Sequence, residues 1–175
     1  MAGSKADDSE DSARRVILIV RHGIAEERTE DKPDSERSLT KTGHARMREN
    51  ARGIARLFPK AELILSSPLL RALQTALWVS RAFKKKVEVE VTDALAPEGS
   101  MAEVGALLEQ RKERGVILVG HEPNLTETMR HLASQAGWMG DLKKGGCYLL
   151  RREEENLYLL ESLLTPRILR LIAKS

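Results

Sequence analysis

The sequence predicts an α/β protein whose sheet is mainly parallel. Short apolar runs rich in β-branched residues alternate along the chain with segments of helical periodicity. The longest apolar runs, at residues 16–20 and 116–120, lack the polar residue at every second position that a half-exposed strand shows, so the sheet is expected to be covered by helices on both faces. A length of 175 residues, 41% of them hydrophobic, is enough for one such fold.

About six strands are expected in this sheet. The first four are separated from one another by helical segments. The last two are divided only by residues 153–156, which indicates an antiparallel hairpin at one edge. The six runs lie near residues 16–20, 63–66, 87–91, 116–120, 147–151 and 157–163.

Four helices are expected beside these strands. Two of them are indicated by apolar residues at helical spacing, namely Met47, Ala51, Ile54, Ala55 and Phe58 for the first, and Ala72, Ala76, Val79 and Phe83 for the second. The third opens with Ser100-x-x-Glu103, the pattern of a capping box. The fourth starts after Asn124 and runs to about Gln135.

The domain organisation is expected to be simple. Residues 1–13 are polar, lack periodicity and hold three more acidic than basic residues, which predicts a disordered acidic tail. Residues 14–175 contain no linker or repeat and are expected to form a single domain. They hold six more basic than acidic residues, a balance that suits an anionic ligand.

Composition argues against several classes of protein. Six aromatic residues in the whole chain, and one basic run at residues 84–86, give little support for nucleic-acid binding. The apolar run at residues 16–20 is much shorter than the roughly 20 residues of a membrane span. Cys147 is the only cysteine, so no disulfide can form within the chain, and a reducing, cytoplasmic location is expected.

Polar clusters follow three of the predicted strands. The first strand ends in Arg21-His22-Gly23, the second in Ser66-Ser67-Pro68-Leu69-Leu70-Arg71, and the fourth in Gly120-His121-Glu122-Pro123-Asn124. Ligands of open α/β sheets bind beyond the carboxyl ends of the strands. The sequence therefore places two histidines and two arginines at one edge of the sheet.

These residue types suit phosphoryl transfer. Two guanidinium groups can hold a phosphate through charge-assisted hydrogen bonds. A neutral imidazole, its second nitrogen fixed by a backbone carbonyl, can attack phosphorus, while the other histidine donates to the phosphoryl oxygens. Gly23 is expected to let the backbone approach the phosphate. Ser67 is expected to cap a helix with Pro68 at its first position, which would point the helix N-terminus at the same anion.

The ordered motifs resemble those of the histidine phosphatase superfamily, which has the phosphoglycerate-mutase-like fold. They are Val20-Arg21-His22-Gly23, Leu39-Thr40-x-x-Gly43, Ser66-Ser67-Pro68-x-x-Arg71-Ala72-x-Gln74-Thr75-Ala76 and Gly120-His121. Within the superfamily, the chain looks most like the phosphohistidine phosphatases of the SixA type. The resemblance implies His22 as nucleophile, with Arg21, Arg71 and His121 on the phosphoryl group. It also implies a three-layer α/β/α sandwich with one antiparallel strand near the edge, and no metal or other cofactor.

Two departures from the superfamily pattern bear on the substrate. Mutases and many small-molecule phosphatases of the superfamily carry insertions that roof the site, whereas here only residues 95–115 separate the third and fourth strands. An open pocket without a lid is expected, which favours a phosphoryl group presented on a protein. The usual proton-donating glutamate has no clear counterpart; Glu98 is the candidate acid, and a plain loop carboxylate is the alternative.

Other polar residues have simpler interpretations. His44 and His131 fall within helical segments and are read as surface or packing residues, and Cys147 as a small buried residue on a strand. Leucine at position 125 breaks the two-histidine zinc pattern. The charged stretch 26–34 is expected to be a solvated loop, with contact to a substrate as the alternative. Lys143 and Lys144 either touch a substrate or form a turn before the fifth strand.

Three functions stay open on the sequence alone. The first is a phosphohistidine phosphatase that acts on a protein. The second is a phosphomonoesterase for a small phosphorylated metabolite, using the same pocket. The third is a module that binds a phosphorylated partner without turnover, against which the presence of all four pocket residues argues. Mutase activity is the least favoured, because returning a phosphoryl group requires a more enclosed site.

Overall fold

A computed structural model describes residues 14–134, 142–154 and 157–175. Within them the protein forms one six-stranded sheet. Its strands are β1 (Val16–Arg21), β2 (Leu63–Ser66), β3 (Glu88–Val91), β4 (Gly115–Gly120), β5 (Cys147–Glu154) and β6 (Leu157–Leu164). Their order across the sheet is β3-β2-β4-β1-β5-β6.

The direction of the strands matches the sequence pattern. Strands β1 to β4 pair in parallel, and β5 is antiparallel both to β1 and to β6. The mainly parallel sheet with one reversed strand near its edge is thus confirmed. The strands β1 and β4 lie side by side although the chain forms β2 and β3 between them. From β1 the chain crosses to β2 and then to the edge strand β3, and it returns to form β4 in the position between β2 and β1.

Five helices are present in the described residues. They are α1 (Lys41–Leu57), α2 (Leu70–Ala82), α3 (Met101–Glu109), α4 (Asn124–Leu132) and α5 (Pro166–Ile172). Ser100 and Glu103 form the predicted capping box at the start of α3. None of the helices described is long and apolar enough to cross a bilayer.

The sheet separates two hydrophobic cores, because successive side chains of a strand point to opposite faces. Ile17 and Ile19 of β1 pack with α3 and α4 on one face. Leu18 and Val20 pack with α1, α2 and α5 on the other. All four side chains are fully buried. The protein is therefore a three-layer α/β/α sandwich, and the apolar character of β1 follows from burial on both faces.

The structure differs from the sequence expectations in two helices. Helix α2 begins at Leu70 with Leu69 in the N-cap position, so Ser67 is not its cap and Pro68 is not its first residue, contrary to the expectation. Helix α5 is not predicted from the pattern, although Thr165 caps it through the Ile168 N–H and Pro166 occupies its first turn. The predicted acidic tail, residues 1–13, and the predicted end of α4 at Gln135 lie outside the described residues.

Candidate active site

The register of the parallel strands sets the positions of the two histidines. Arg21 pairs with Gly120, so His22 and His121 are the first residues beyond the ends of two adjacent strands. The His22 N–H donates to the Gly120 carbonyl at 3.1 Å, which continues the ladder by one step. The two imidazole rings lie 5.0 Å apart between centroids at an interplanar angle of 49°.

His22 is held by its own main chain. Its Nδ1 lies 2.7 Å from the Gly23 carbonyl oxygen. A carbonyl can only accept, so Nδ1 carries the proton and Nε2 keeps its lone pair. The ring is 6% exposed, and this burial, together with His121 and the two arginines, lowers the pKa of His22 to about 3. At neutral pH the imidazole is uncharged, as a nitrogen nucleophile must be.

His121 is oriented by a residue at the end of the neighbouring strand. Its Nε2 lies 2.9 Å from Ser67 Oγ, which also accepts the Leu69 N–H at 3.3 Å. The serine proton is therefore free to go to Nε2, which leaves the ring proton on Nδ1. That Nδ1 atom is buried and has no hydrogen-bond partner among the described residues. Burial and the Arg71 charge lower the pKa of His121 to about 3.

Arg71 lies on the first turn of α2 and is 5% exposed. Its Nη1 donates to the Asp34 carbonyl at 2.7 Å and its Nη2 to Asp34 Oδ2 at 2.9 Å. Asp34 Oδ1 accepts from Arg37 Nη1 at 2.6 Å. Burial raises the pKa of Asp34, but the hydrogen bonds from Arg37 and Arg71 outweigh that effect and hold it below its usual value. The carboxylate stays charged beside the guanidinium.

Arg21 reaches the segment that precedes β5. Its Nη1 donates to the Leu142 carbonyl at 2.6 Å, while its buried Nε has no partner among the described residues. The N–H of Leu142 donates to Glu122 Oε1 at 3.1 Å, and Thr126 donates to the same oxygen at 2.9 Å. Burial raises the pKa of Glu122. Glu122, the residue after His121, and Arg21 therefore both bind the main chain of Leu142, one at its N–H and the other at its carbonyl.

Gly23 packs closely against α1, a contact that the sequence does not predict. A Cβ at this position would lie 2.5 Å from Met47 Cγ and 3.2 Å from Leu39 Cδ2, so glycine is required for packing against α1. Its N–H donates to Thr75 Oγ1 at 3.0 Å. Thr75 donates in turn to the Arg71 carbonyl at 2.8 Å, which ties the end of β1 to the first turns of α2.

Glu98 stays apart from the other candidate residues. It is exposed, and among the described residues no hydrogen bond or ion pair joins it to the histidines or arginines. Its loop is nevertheless fixed, since Asn124 Nδ2 donates to the carbonyls of Ala94, Ala96 and Gly99 at 3.3, 3.2 and 2.9 Å. The loop that carries Glu98 is thus held in position by Asn124, three residues after His121.

The structure brings together Arg21, His22, Arg71 and His121, the four residues that sequence analysis selects. It adds Asp34, from the stretch expected to be a solvated loop, and gives Ser67 a contact with His121 instead of a helix cap. Asn124 belongs to the motif after β4, so its presence near the site has a sequence signal, whereas Asp34 has none. No cluster of three or more His, Cys, Asp or Glu side chains suited to a metal occurs in the described part of the chain.

The protein has an α/β fold with histidine and arginine side chains gathered at the carboxyl ends of β1 and β4. From these two neighbouring strands, the chain crosses over in opposite directions, to β2 and to β5, and such points of open α/β sheets are where ligands bind. The family model of the histidine phosphatase superfamily, branch 1, matches residues 17–97. An uncharacterized protein of Picosynechococcus sp. is 38% identical over 139 residues, which is 77% of this chain and 84% of that protein. The chain belongs to the histidine phosphatase superfamily.

Solved structures share this architecture. The protein histidine phosphatase SixA, complexed with tungstate, has a TM-score of 0.78 and 24% identity over 88% of this chain and 99% of that chain. A putative alpha-ribazole-5'-P phosphatase from Escherichia coli has a TM-score of 0.69 and 16% identity over 87% and 98%. At these identities the likeness establishes the fold, and it confirms the phosphoglycerate-mutase-like architecture expected from the sequence.

Proposed function

We propose that the protein is a phosphohistidine phosphatase that removes the phosphoryl group from a histidine of another protein, with His22 as its nucleophile. The observation that carries the proposal is the state of His22. Its Nδ1 is bound to the Gly23 carbonyl, its pKa is lowered to about 3, and a second neutral imidazole and two guanidinium groups surround it. This is a nitrogen nucleophile beside groups that neutralise a transferring phosphoryl group.

The reaction has two steps. In the first, Nε2 of His22 attacks phosphorus, the bond from phosphorus to the substrate imidazole breaks, and that imidazole leaves with a proton. In the second, water attacks phosphorylated His22, the new P–N bond breaks, and inorganic phosphate is released. In both steps Arg21 and Arg71 hold the non-bridging oxygens, and the unpartnered Nδ1–H of His121 donates to one of them.

The leaving group favours phosphohistidine. An alkoxide is a poor leaving group and needs a positioned acid, whereas a protonated imidazole departs neutral. Glu98 is exposed and unpaired among the described residues, which is a weak arrangement for a proton donor. Between β3 and β4 lie only the short turn Asp93–Leu95 and α3, so this connection holds no lid-sized insertion. Without a lid from this connection, we expect the pocket to admit a histidine that is still part of a protein.

A phosphomonoesterase for a small phosphorylated molecule is the second candidate. It would use the same four residues, and the structural likeness to a putative alpha-ribazole-5'-P phosphatase supports it. Under either reading no metal is required, because the arginines and His121 supply the positive charge and the hydrogen-bond donor. With its single thiol buried on β5, the chain suits a reducing compartment, and we place its action in the cytoplasm.

A comparison of substrates tests the proposal. Turnover of a phosphohistidine protein, p-nitrophenyl phosphate and a panel of sugar phosphates is measured with EDTA present. The phosphohistidine protein is expected to have the highest kcat/KM, and EDTA is expected to change nothing. Faster turnover of a sugar phosphate would make the second candidate the function. Binding of the phosphoprotein with no release of phosphate would support a module without catalysis.

A further inference from the structure

A groove of about 470 Å³ opens beside the catalytic strand end, between α1, the segment before β5 and the start of α5. Gly23 and Ile24, which directly follow His22, form part of its wall. The other residues that line it include five basic side chains and no acidic one: Arg46, Lys143, Lys144, Arg167 and Arg170. These five residues are called the basic groove below.

The basic groove holds charge that the protein itself does not neutralise. Arg46, Lys143, Lys144 and Arg167 are exposed and form no ion pair among the described residues. Only Arg170 has an acidic neighbour, with its Nε 4.0 Å from Glu49 Oε2. Its Nη1 donates to Asn50 Oδ1 at 3.1 Å, which fixes the side chain against α1. Four cations thus face solvent along one groove.

The main chain couples this groove to the pocket. The N–H of Gly145 donates to the carbonyls of both Arg21 and His22, at 3.0 and 3.1 Å. Gly145 has a φ of +78°, a conformation that favours glycine, and Asn50 donates to its carbonyl at 3.1 Å. Lys143 and Lys144 directly precede this anchored glycine. Their backbone is therefore held in a defined position relative to His22.

A second basic groove lies elsewhere and serves as a comparison. It is lined by Arg52, Arg56 and residues 84–86, but Glu62 and Glu88 line it as well. Glu62 and Glu88 stand at the amino ends of β2 and β3, so this groove is at the opposite edge of the sheet from His22. Of these two grooves, the one beside His22 combines uncompensated positive charge with a position next to the proposed site of phosphoryl transfer.

We propose that the basic groove docks an acidic face of the phosphorylated protein, so that its phosphohistidine enters the pocket beside His22. This inference rests on the proposed function and names the surface chemistry of its substrate. Several unpaired cations along one groove attract a surface of carboxylates over about one Debye length, roughly 8 Å at physiological salt. Such rim charges act mainly on the rate of encounter and on the choice of partner.

Charge reversal separates docking from chemistry. The variants Lys143→Glu/Lys144→Glu and Arg46→Glu/Arg167→Glu change exposed side chains only, and Lys84→Glu/Lys85→Glu is the matched control at the far groove. For each, kcat/KM is measured on a phosphohistidine protein with an acidic face and on phosphoramidate. In the groove variants, kcat/KM on the phosphohistidine protein is expected to fall about tenfold or more, and kcat/KM on phosphoramidate is expected to stay within about twofold of the wild-type value. The control is expected to keep both rates.

Salt and a non-reactive probe complete the test. In the wild type, kcat/KM on the phosphoprotein falls as salt rises, and the groove variants flatten that dependence. A fluorescent poly-glutamate peptide is expected to bind the wild type and the far-groove control, and to bind the groove variants at least about tenfold more weakly.

The outcomes distinguish the two proposals. Equal losses on both substrates, or peptide binding that the control weakens as much as the groove variants do, would overturn the docking surface and leave the proposed function standing. If the wild type hydrolyses phosphoramidate but no phosphohistidine protein, the proposed function fails, and the peptide alone then decides whether the groove binds acidic chains.

Discussion

Both terminal nitrogens of the Arg71 guanidinium donate hydrogen bonds to Asp34, Nη1 to the backbone carbonyl and Nη2 to the carboxylate. Asp34 thus occupies donors that a phosphoryl group would also use. The contact spans 37 residues of sequence and joins a polar loop to the first turn of α2. It gives the buried guanidinium a counter-ion. Under the proposed function, Asp34 would compete with phosphate for that cation.

Replacement of Asp34 should expose this competition. In Asp34→Ala the buried Arg71 loses its counter-ion, and we expect the free energy of unfolding to fall by about 1–3 kcal/mol, the usual cost of an unmade charged hydrogen bond. Inorganic phosphate should restore more of the Tm in the variant than it adds to the wild type, because the anion replaces the carboxylate. Thermal unfolding with and without phosphate measures both effects. Glu36→Ala, in the same turn but without an ion pair among the described residues, is the control. If phosphate raised the Tm of all three proteins equally, the prediction would be contradicted.

The nucleophile can be identified by trapping. Turnover of a ³²P-labelled substrate, quenched early, should leave a phosphoramidate on His22 that is stable to base and labile to acid. His22→Ala should lose the label and nearly all activity while staying folded by circular dichroism. His131→Gln, a change at an exposed histidine, should keep both. Label on a serine or an aspartate would reject His22 as the attacking group.

The hydroxyl of Ser67 should fix the tautomer of His121. In Ser67→Ala, Nε2 loses its partner, and we expect kcat/KM to fall about tenfold, the equivalent of one hydrogen bond of roughly 1.4 kcal/mol. The ¹⁵N shifts of His121 should report a mixture of tautomers in place of one. Ser66→Ala is the matched control, since that buried hydroxyl donates to the Ser67 carbonyl and not to the ring. Unchanged shifts in Ser67→Ala would show that the serine does not orient His121.

Stability should depend on pH through the two site histidines. Each has a folded pKa of about 3 against 6.5 when unfolded, so the unfolded chain binds more protons between these values. The stabilisation is complete above about pH 6.5 and is lost as pH falls toward about 3, at up to about 1.4 kcal/mol per pH unit for each histidine. Urea unfolding at pH 7.5 and 5.5 measures the slope. In the double variant His22→Asn/His121→Asn, the free energy of unfolding should depend much less on pH. A pH dependence as steep as that of the wild type would show that other groups cause the effect.

Glu98 should matter more for alkyl phosphates than for phosphohistidine. If it donates a proton to the leaving group, Glu98→Gln removes help that an alkoxide needs and an imidazole can do without. We expect kcat on an alkyl phosphate to fall at least about tenfold and kcat on phosphohistidine to change little. Steady-state rates on the two substrates provide the measurement, with Glu127→Gln on α4 as a control. Equal losses on both substrates would assign Glu98 to binding or folding.

The fold could be predicted because its determinants are local. The strands β1, β2 and β4 contain no charged or polar residue before the last position of each, which reflects burial on both faces of a parallel sheet. The polar groups that follow them must then meet at one edge. Because parallel strands share direction, the sequence predicts His22 and His121 at the same edge of the sheet. Their direct proximity depends on the pairing of β1 with β4, which the sequence does not predict.

The contacts around those residues could not be predicted in the same way. Asp34 reaches Arg71 from a loop whose charged composition is equally typical of a solvated turn, and only the folded path of that loop places it there. Ser67 precedes a proline, which is typical of a helix start, but its hydroxyl binds His121 across the sheet edge instead. The sequence motif of Gly23 predicts phosphate contact, but it carries no signal for the close packing of Gly23 against Met47, a residue of another layer.

The place of Cys147 has a consequence for resistance to oxidants. This thiol sits one residue after Gly146, whose carbonyl binds the Arg21 N–H, yet it is fully buried and burial raises its pKa to about 12. Peroxide attacks thiolates, and a thiol in this state does not form one at cellular pH. The proposed nucleophile is a ring nitrogen. A phosphatase built in this way should keep turning over at peroxide concentrations that silence enzymes whose attacking atom is sulfur.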